Sequence, residues 1–586
     1  MRIPGIKAKE PDREEIRNFF GLNRQSAAAP GEAADEENVG GDLFPFLSPR
    51  RAAAVLTDDF GKCRAIAYKD QPVWITDIAG GSFSKLWYAG HETGVVMPAG
   101  KKQIVTMGTK IIVFPDKIYY DTANGESGSL DAEFSSEDGV AVSYTLSRLD
   151  GGEYEYDSSP SAPESPADGA LWCDTSQTPA VLSKYSASSG MWVTVDSTYV
   201  KITSPGIGAA FKEGDGVTVS ASAVQTLNGA CVVAGAGNDY LIVPGVITAP
   251  VTQTAGVTVS RRAPEIDFAV EYSNRIWACR YGLNRDGQLV NEIYASALGD
   301  PFNWNAFAGL VSDSYAAGVG SDGPFTGAVA ILGYVMFFKE RCVHKVFGNR
   351  PSNYQIITSN LRGVARGAED SLAEIDGTLY YCGADGVMAY DGSFPETVSD
   401  PLGQISPEGA LAASSGKYLY LSALRGTTRE FYVFDSRRSV WHREAPLDVD
   451  CMAPLSHGVL AAGNMSLFAL GTKDLGASAA AACGTGDVTA LPNGWYFETG
   501  ELTAEREDMF VTRVEVTCAV EAGEELRVSL ICGEGTKIPV VTVKPSVRRT
   551  YSIPVTAPRE RRFRLRISGT GGAVVYGVTK FVDRRG

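Results

Sequence analysis

Alternation of apolar and polar residues dominates this chain. In "RRFRLRISG", residues 561–569, Phe563, Leu565 and Ile567 point one way and Arg562, Arg564 and Arg566 the other, which predicts a half-buried β-strand. "TRVEVTCAV" and "ELRVSLICG" repeat the pattern, so the last hundred or so residues predict a C-terminal β-sandwich. Upstream the strands are shorter and more aromatic. Between 272 and 470 a turn residue, an apolar strand and a partner strand recur together. The first strands are "SNRIWACR", "LGYVMFFK", "DGTLYYCG", "SGKYLYLS" and "SHGVLAAG". Their turn residues Asn274, Gly333, Gly377, Gly416 and Gly458 lie 59, 44, 39 and 42 residues apart.

"KDQPVWITD" near Asp70 and "MGTKIIVFPDKIYYD" near Gly108 fit the same scheme, giving about seven copies. Repeats of 40 to 45 residues built from short strands predict the blades of a β-propeller, in which each small sheet buries its faces on its neighbours. In "FFKERCVHKVFG", residues 337–348, this places Cys342 and His344 on one face of a strand, with Glu340 at the preceding turn. The spacing admits a Cys-His dyad, but no orienting third group or oxyanion site is visible beside it. The stretch therefore reads as two strands of a blade.

The gap from Gly108 to Asn274 is too long for one blade and predicts an insertion. Its entrance is the Ser/Pro-rich stretch 157–170, most of it "SPSAPESPADGA", and its exit lies near "VSRRAPEIDF". Within it Trp172, Tyr185 and Trp192 are either core or a platform for the apolar faces of sugar rings. At the N-terminus, "EPDREEIRNFFGLN" reads as a short amphipathic helix that groups Ile16, Phe19 and Phe20 and stops at Gly21, followed by a polar tether. Such an anchor either docks on another subunit or folds back on its own chain. The expected organisation is an arm with a short helix (1–48), a first propeller segment (49–150), an inserted β module (151–262), a second propeller segment (263–475) and the sandwich (476–586).

Composition narrows the function. In 586 residues there are 69 acidic and 53 basic side chains, a formal charge of −16, which opposes broad binding to phosphate backbones or anionic lipid. No apolar run is long enough to span a membrane. The start lacks the apolar core of a secretory leader, so synthesis in the cytoplasm is expected. The ten Cys show no CxxC spacing and the four His no HExxH spacing, so neither metal nor cofactor is indicated. From Lys544 to Arg566 basic residues outnumber acids eight to one. Arg562, Arg564 and Arg566 thus form either a docking face for an acidic partner or a charged, protected strand edge.

"DLFPFLSPRRA", "NEIYASALGDPFNWNAF", "DSYAAGVGSDGPFTGAVAILGYVMFFKERCVHKVFGNRPSNYQI", "GVMAYDGSFPETVSD" and "YVFDSRRSVWHRE" resemble structural proteins of tailed bacteriophages found as prophages in hosts related to clostridia and bacilli. More distantly, the architecture is similar to the propeller-bearing packaged-DNA stabilisation, or tail hub and nozzle, proteins of short-tailed phages. The resemblance implies a non-enzymatic virion subunit of the tail or neck, assembled in the host cytoplasm. It also implies a cyclic homo-oligomer around the DNA exit path that touches portal, adaptor or tail subunits and reads no nucleic-acid sequence. Two other functions compete with it. One is a receptor-binding tail protein whose insertion reads glycans through Trp172, Tyr185 and Trp192. The other is a propeller glycosidase, which needs two carboxylates about 5 to 9 Å apart, with Asp313, Asp322, Glu340 and Asp385 as candidates.

Overall fold

The computed structural model describes residues 12–25, 28–50, 53–254, 256–471, 475–486, 488–503, 509–532, 536–555 and 563–584. They are mostly β, arranged as many small sheets, with one α-helix among them, Leu475–Cys483. That helix falls in the Ala/Gly/Ser-rich "LGASAAAAC", where four alanines in a row favour helix and Leu475, Ala479, Ala480 and Cys483 are buried. The chain divides into two compact units, Met1–Lys102 with Phe338–Val343 and Ser359–Gly586, and Gln103–Phe337 with His344–Thr358.

The repeats form seven small antiparallel sheets of strands consecutive in the chain, covering 63–98, 103–129, 268–318, 327–360, 373–397, 406–444 and 451–471. The last sheet is completed from far away in sequence: Ala53–Thr57 pairs with Ser466–Gly471. Two-residue turns close several hairpins with both residues at positive φ, at Ser273-Asn274, Leu332-Gly333 and Asp376-Gly377. This left-handed pair matches the twist of the strands it joins. Gly458 is used differently. Its φ is not positive, but a Cβ there would lie 2.2 Å from the Leu470 carbonyl oxygen, so close packing requires the glycine.

Central strands of these sheets are apolar on both faces, and each face meets a different neighbour. In the first unit Val459 and Ala461 of Gly458–Gly463 join Tyr418, Tyr420 and Phe431 of the sheet before, while Leu460 and Ala462 join Cys63 and Trp74 of the sheet 63–98. In the second unit Ile276 and Ala278 of Arg275–Leu283 pack with Ile112 and Phe114, while Trp277 and Cys279 pack with Val335 and Phe337. Alternation along a strand thus feeds two cores at once.

The last hundred residues build a four-stranded and a five-stranded sheet around one shared core containing Val514, Val516, Leu526, Val528, Leu565 and Ile567. Phe563, Leu565 and Ile567 are buried as their alternation predicts. The N-terminal segment joins both sheets. Here the expected helix does not form: Asp12–Ile16 is a strand paired with the final strand, Ile16 opposite Val578. Ile16 and Phe19 are buried in the shared core, with the Phe19 ring 5.4 Å from Phe497, whereas Phe20 is 42% exposed. Of the three residues read as an anchor for another subunit or for the chain itself, Ile16 and Phe19 thus lie in the chain's own C-terminal core.

The insertion also starts earlier than its linker suggests. Ala132–Ser135 pairs with Thr258–Arg261, and Val142–Ser147 pairs with Tyr199–Thr203 and Val251–Gln253, so 132–261 share a separate core from Val142 to Val259. The Ser/Pro-rich stretch lies inside this region and is not its entrance.

Candidate functional site on the inserted region

A four-stranded sheet forms from Asp157–Ser159, Leu171–Asp174, Val181–Ser186 and Met191–Thr194, with the first strand parallel to the second and the others antiparallel. Residues directly opposite one another share a face. Trp172 faces Ser183, Ser183 faces Thr194, and Tyr185 faces Trp192, so the three aromatics lie on one side with Ser183 and Thr194. Cys173 and Leu182, on the other side, are buried in the core of the inserted region. Core filling accounts for that face and leaves the aromatic one outside.

The three rings are half-buried and touch in sequence, Trp172 to Trp192 at 5.5 Å and 60° and Tyr185 to Trp192 at 5.3 Å and 58°. Edge-to-face contacts of this kind fix ring orientation without closing the faces. The Trp172 indole N–H donates to the Ser159 carbonyl and hydroxyl, both at 3.1 Å. Neither the Tyr185 hydroxyl nor the Trp192 N–H has a hydrogen-bond partner among the described residues, so both remain for a ligand. Beside them Asp174 accepts from the Ser176 hydroxyl at 2.6 Å and the Gln177 amide at 2.8 Å, bonds that lower its pKa, the Ser176 hydroxyl contributing most. An apolar, ring-sized surface bordered by hydroxyls and unspent donors suits a flat ligand with C–H groups on its face and polar groups on its rim.

The other candidates are structural. His344 is fully buried and both its ring nitrogens are engaged, Nε2 at 2.7 Å from the Ser321 hydroxyl and Nδ1 at 2.9 Å from Thr358. A histidine so held has no free nitrogen to activate the Cys342 thiol. Asp313 accepts from the backbone amides of Gly309 (2.6 Å) and Leu310 (3.0 Å) and shapes that turn. Glu340 accepts from the Arg366 amide at 3.4 Å, Asp385 lies 3.4 Å from Arg362, and Asp322 is exposed on a loop. Asp313 and Asp322 belong to one compact unit, Glu340 and Asp385 to the other. Asp313, Glu340 and Asp385 each serve their own local structure. Arg564 and Arg566 both pair with buried Glu498, at 3.2 and 2.6 Å, and Arg566 lies over the Tyr496 ring. Arg562 lies outside the described residues. All ten Cys are free, eight of them buried, and among the described residues no cluster suits a metal ion and no helix is long and apolar enough to cross a membrane.

One polar centre has no local sequence signal. His442 Nδ1 lies 2.8 Å from Glu36 Oε1, 406 residues away, and Arg50 Nη1 lies 2.6 Å from Glu444. Glu36 is fully buried and His442 is 4% exposed. Burial raises the pKa of both glutamates, opposed by His442 at Glu36 and by Arg50 at Glu444.

No protein-family model and no curated protein matches the chain. Among solved structures it is similar to an exo-β-1,3-galactanase from Phanerochaete chrysosporium determined with β-1,3-galactotriose, at 9% identity and a TM-score of 0.20 over 53% of this chain and 94% of that one. It is also similar to a glycoside hydrolase family 43 arabinoxylan arabinofuranohydrolase from Bacillus subtilis in complex with cellotetraose, at 10% identity and a TM-score of 0.17 over 69% and 93%. No comparison supplies a virion relative, and the structures named here are carbohydrate-acting enzymes, so the expected reading as a structural subunit of a phage tail or neck is withdrawn. Likeness at this TM-score assigns neither substrate nor activity, so function is argued from the side chains.

Proposed function

We propose that this protein binds carbohydrate through Trp172, Tyr185 and Trp192. The observation that carries the reading is their placement: three touching aromatics on the face of a small sheet turned away from that region's core. Sugar C–H groups pack on the ring faces, and the Tyr185 hydroxyl and Trp192 N–H take the ring hydroxyls. We further propose that the seven small sheets are propeller blades, the last completed by the strand Ala53–Thr57, and that the C-terminal sheets form a sandwich. Sheets buried on both faces and a last sheet completed from the other end of the chain support this arrangement. The scaffold then holds the aromatic face without taking part in chemistry. Asp313, Glu340 and Asp385 are each engaged in their own local structure, and the activity proposed here is binding.

A glycan array probed with the full chain tests this. Wild type is expected to retain a defined set of glycans. Trp192→Ala should weaken binding roughly 30-fold, the loss of about 2 kcal/mol typical of an aromatic hot spot. A blank array, or retention unchanged by Trp192→Ala and Trp172→Ala, overturns the proposal. Release of reducing ends from a bound glycan refutes binding without cleavage.

A further inference from the structure

We infer that the first compact unit contains a second ligand site, independent of the aromatic face, for a small neutral molecule with an apolar body and a hydroxyl group. It is built around His442 and Arg50. Glu36 holds Nδ1 of His442 at 2.8 Å, so Nε2 is the ring nitrogen left over. Nε2 is buried and has no partner. It borders a cavity of about 20 Å³, lined also by Gly41, Asp42, Arg50, Tyr418 and Glu444. A Cβ on Gly41 would come within 3.3 Å of Nε2, so the glycine keeps this space open.

Arg50 supplies the complementary group. Its side chain is 7% exposed, Nη1 is held by Glu444 and Nη2 reaches the Pro492 carbonyl at 3.4 Å, yet Nε is buried without a partner. Arg50 and Glu444 also line a larger neighbouring cavity of about 400 Å³, whose walls include Phe431, Leu447, Leu470 and Leu491. That volume is in the range of small-molecule sites. Other polar groups at its edge are already used. Asn38 donates to the Gly494 carbonyl at 2.7 Å and accepts from the Ala445 amide at 2.8 Å, and Glu37 pairs with Arg443 at 3.0 Å.

The unspent groups are thus His442 Nε2 and the Arg50 Nε–H, on two residues that line the same small cavity. A hydroxyl, which both donates and accepts, can satisfy the ring nitrogen and accept from Arg50. A carboxylate brings its charge close to Glu444 and Asp42. An ammonium ion offers nothing to Arg50 and meets its positive charge. The apolar walls then select a hydrocarbon body over a polyol.

Benzyl alcohol, benzoate and benzylamine discriminate these cases when titrated into the full chain by saturation-transfer NMR. Benzyl alcohol should bind and the two ions should bind at least tenfold more weakly. Leu447→Trp, which fills the larger cavity from a half-buried position, should weaken benzyl alcohol at least tenfold, and His442→Gln should do the same. Should His442→Gln fail to fold, a crystal soaked with benzyl alcohol decides, with the hydroxyl expected between His442 Nε2 and Arg50 Nε. No transfer from benzyl alcohol, equal binding of benzoate, a hydroxyl placed elsewhere, or binding indifferent to Leu447→Trp would each overturn the inference.

Discussion

Replacing Ile16 with alanine tests whether the N-terminal segment is integral to the C-terminal core or a detachable anchor. Ile16 is 8% exposed, sits in the core shared by the two C-terminal sheets, and ends a strand paired from Asp12↔Val582 to Ile16↔Val578. Truncating a buried isoleucine costs about 2 to 5 kcal/mol. Ile16 lies at the end of its strand, where the core relaxes more readily, so about 2 to 3 kcal/mol is expected. The nearby Lys580–Glu14 pair, at 2.6 Å with Glu14 43% exposed, adds at most about 1 kcal/mol and is unchanged by the substitution. If the strand Ala573–Arg584 opens together with this core, its backbone amides should exchange roughly 30- to 150-fold faster in Ile16→Ala, since each 1.36 kcal/mol is about a factor of ten. Hydrogen-exchange mass spectrometry of peptides covering 573–584 reads this directly. Exchange within about threefold of wild type would refute the reasoning, because a detachable anchor leaves that strand protected.

His344→Ala should destabilise the protein by about 2 to 4 kcal/mol in urea unfolding, because it removes a fully buried ring together with its hydrogen bonds to Ser321 and Thr358. Native Cys342 should stay slow towards iodoacetamide in both forms; fast alkylation of wild type that His344→Ala abolishes would restore the dyad. Asp121 is held down to about 2, chiefly by the Ala123 amide and then by Lys110 and the Thr109 hydroxyl. A depressed carboxyl contributes stability present above its unfolded value of about 4 and lost as pH falls through about 2. Asp121→Asn should therefore flatten the stability profile across that window, and a carboxyl titration by NMR near 4 would contradict the assignment.

Local pattern made the repeats legible. Asn274, Gly333 and Gly377 sit in positive-φ turns at the predicted places, and "FFKERCVHKVFG" is two strands, Tyr334–Lys339 and Cys342–Phe347, with Glu340 and Arg341 at the turn. Features set by distant partners were not legible. "DREEIRNFF" carries a helical spacing of apolar residues, but pairing with the last strand, more than 550 residues away, fixes it as β. The insertion boundary was misplaced for the same reason, since Ala132–Ser135 is defined by Thr258–Arg261. Conversely the helix Leu475–Cys483 had a local signal, because a run of alanine favours helix. The aromatic face was half legible. Spacing within each strand was readable, but which side faces the core was not. Glu36 and His442 had no signal at all, because only the fold brings them together.

The pairing of Ala53–Thr57 with Ser466–Gly471 has a consequence for synthesis. Its two halves leave the ribosome about 400 residues apart, which at about 5 to 20 residues per second is a wait of roughly 20 to 80 s. Throughout that interval the nascent chain carries an unsatisfied edge, ready to recruit any other exposed strand, including the same segment on a neighbouring polysome. Production in cells should thus depend on holdase chaperones and on translation speed, and a circular permutant that begins at the turn before 458 would shorten the wait.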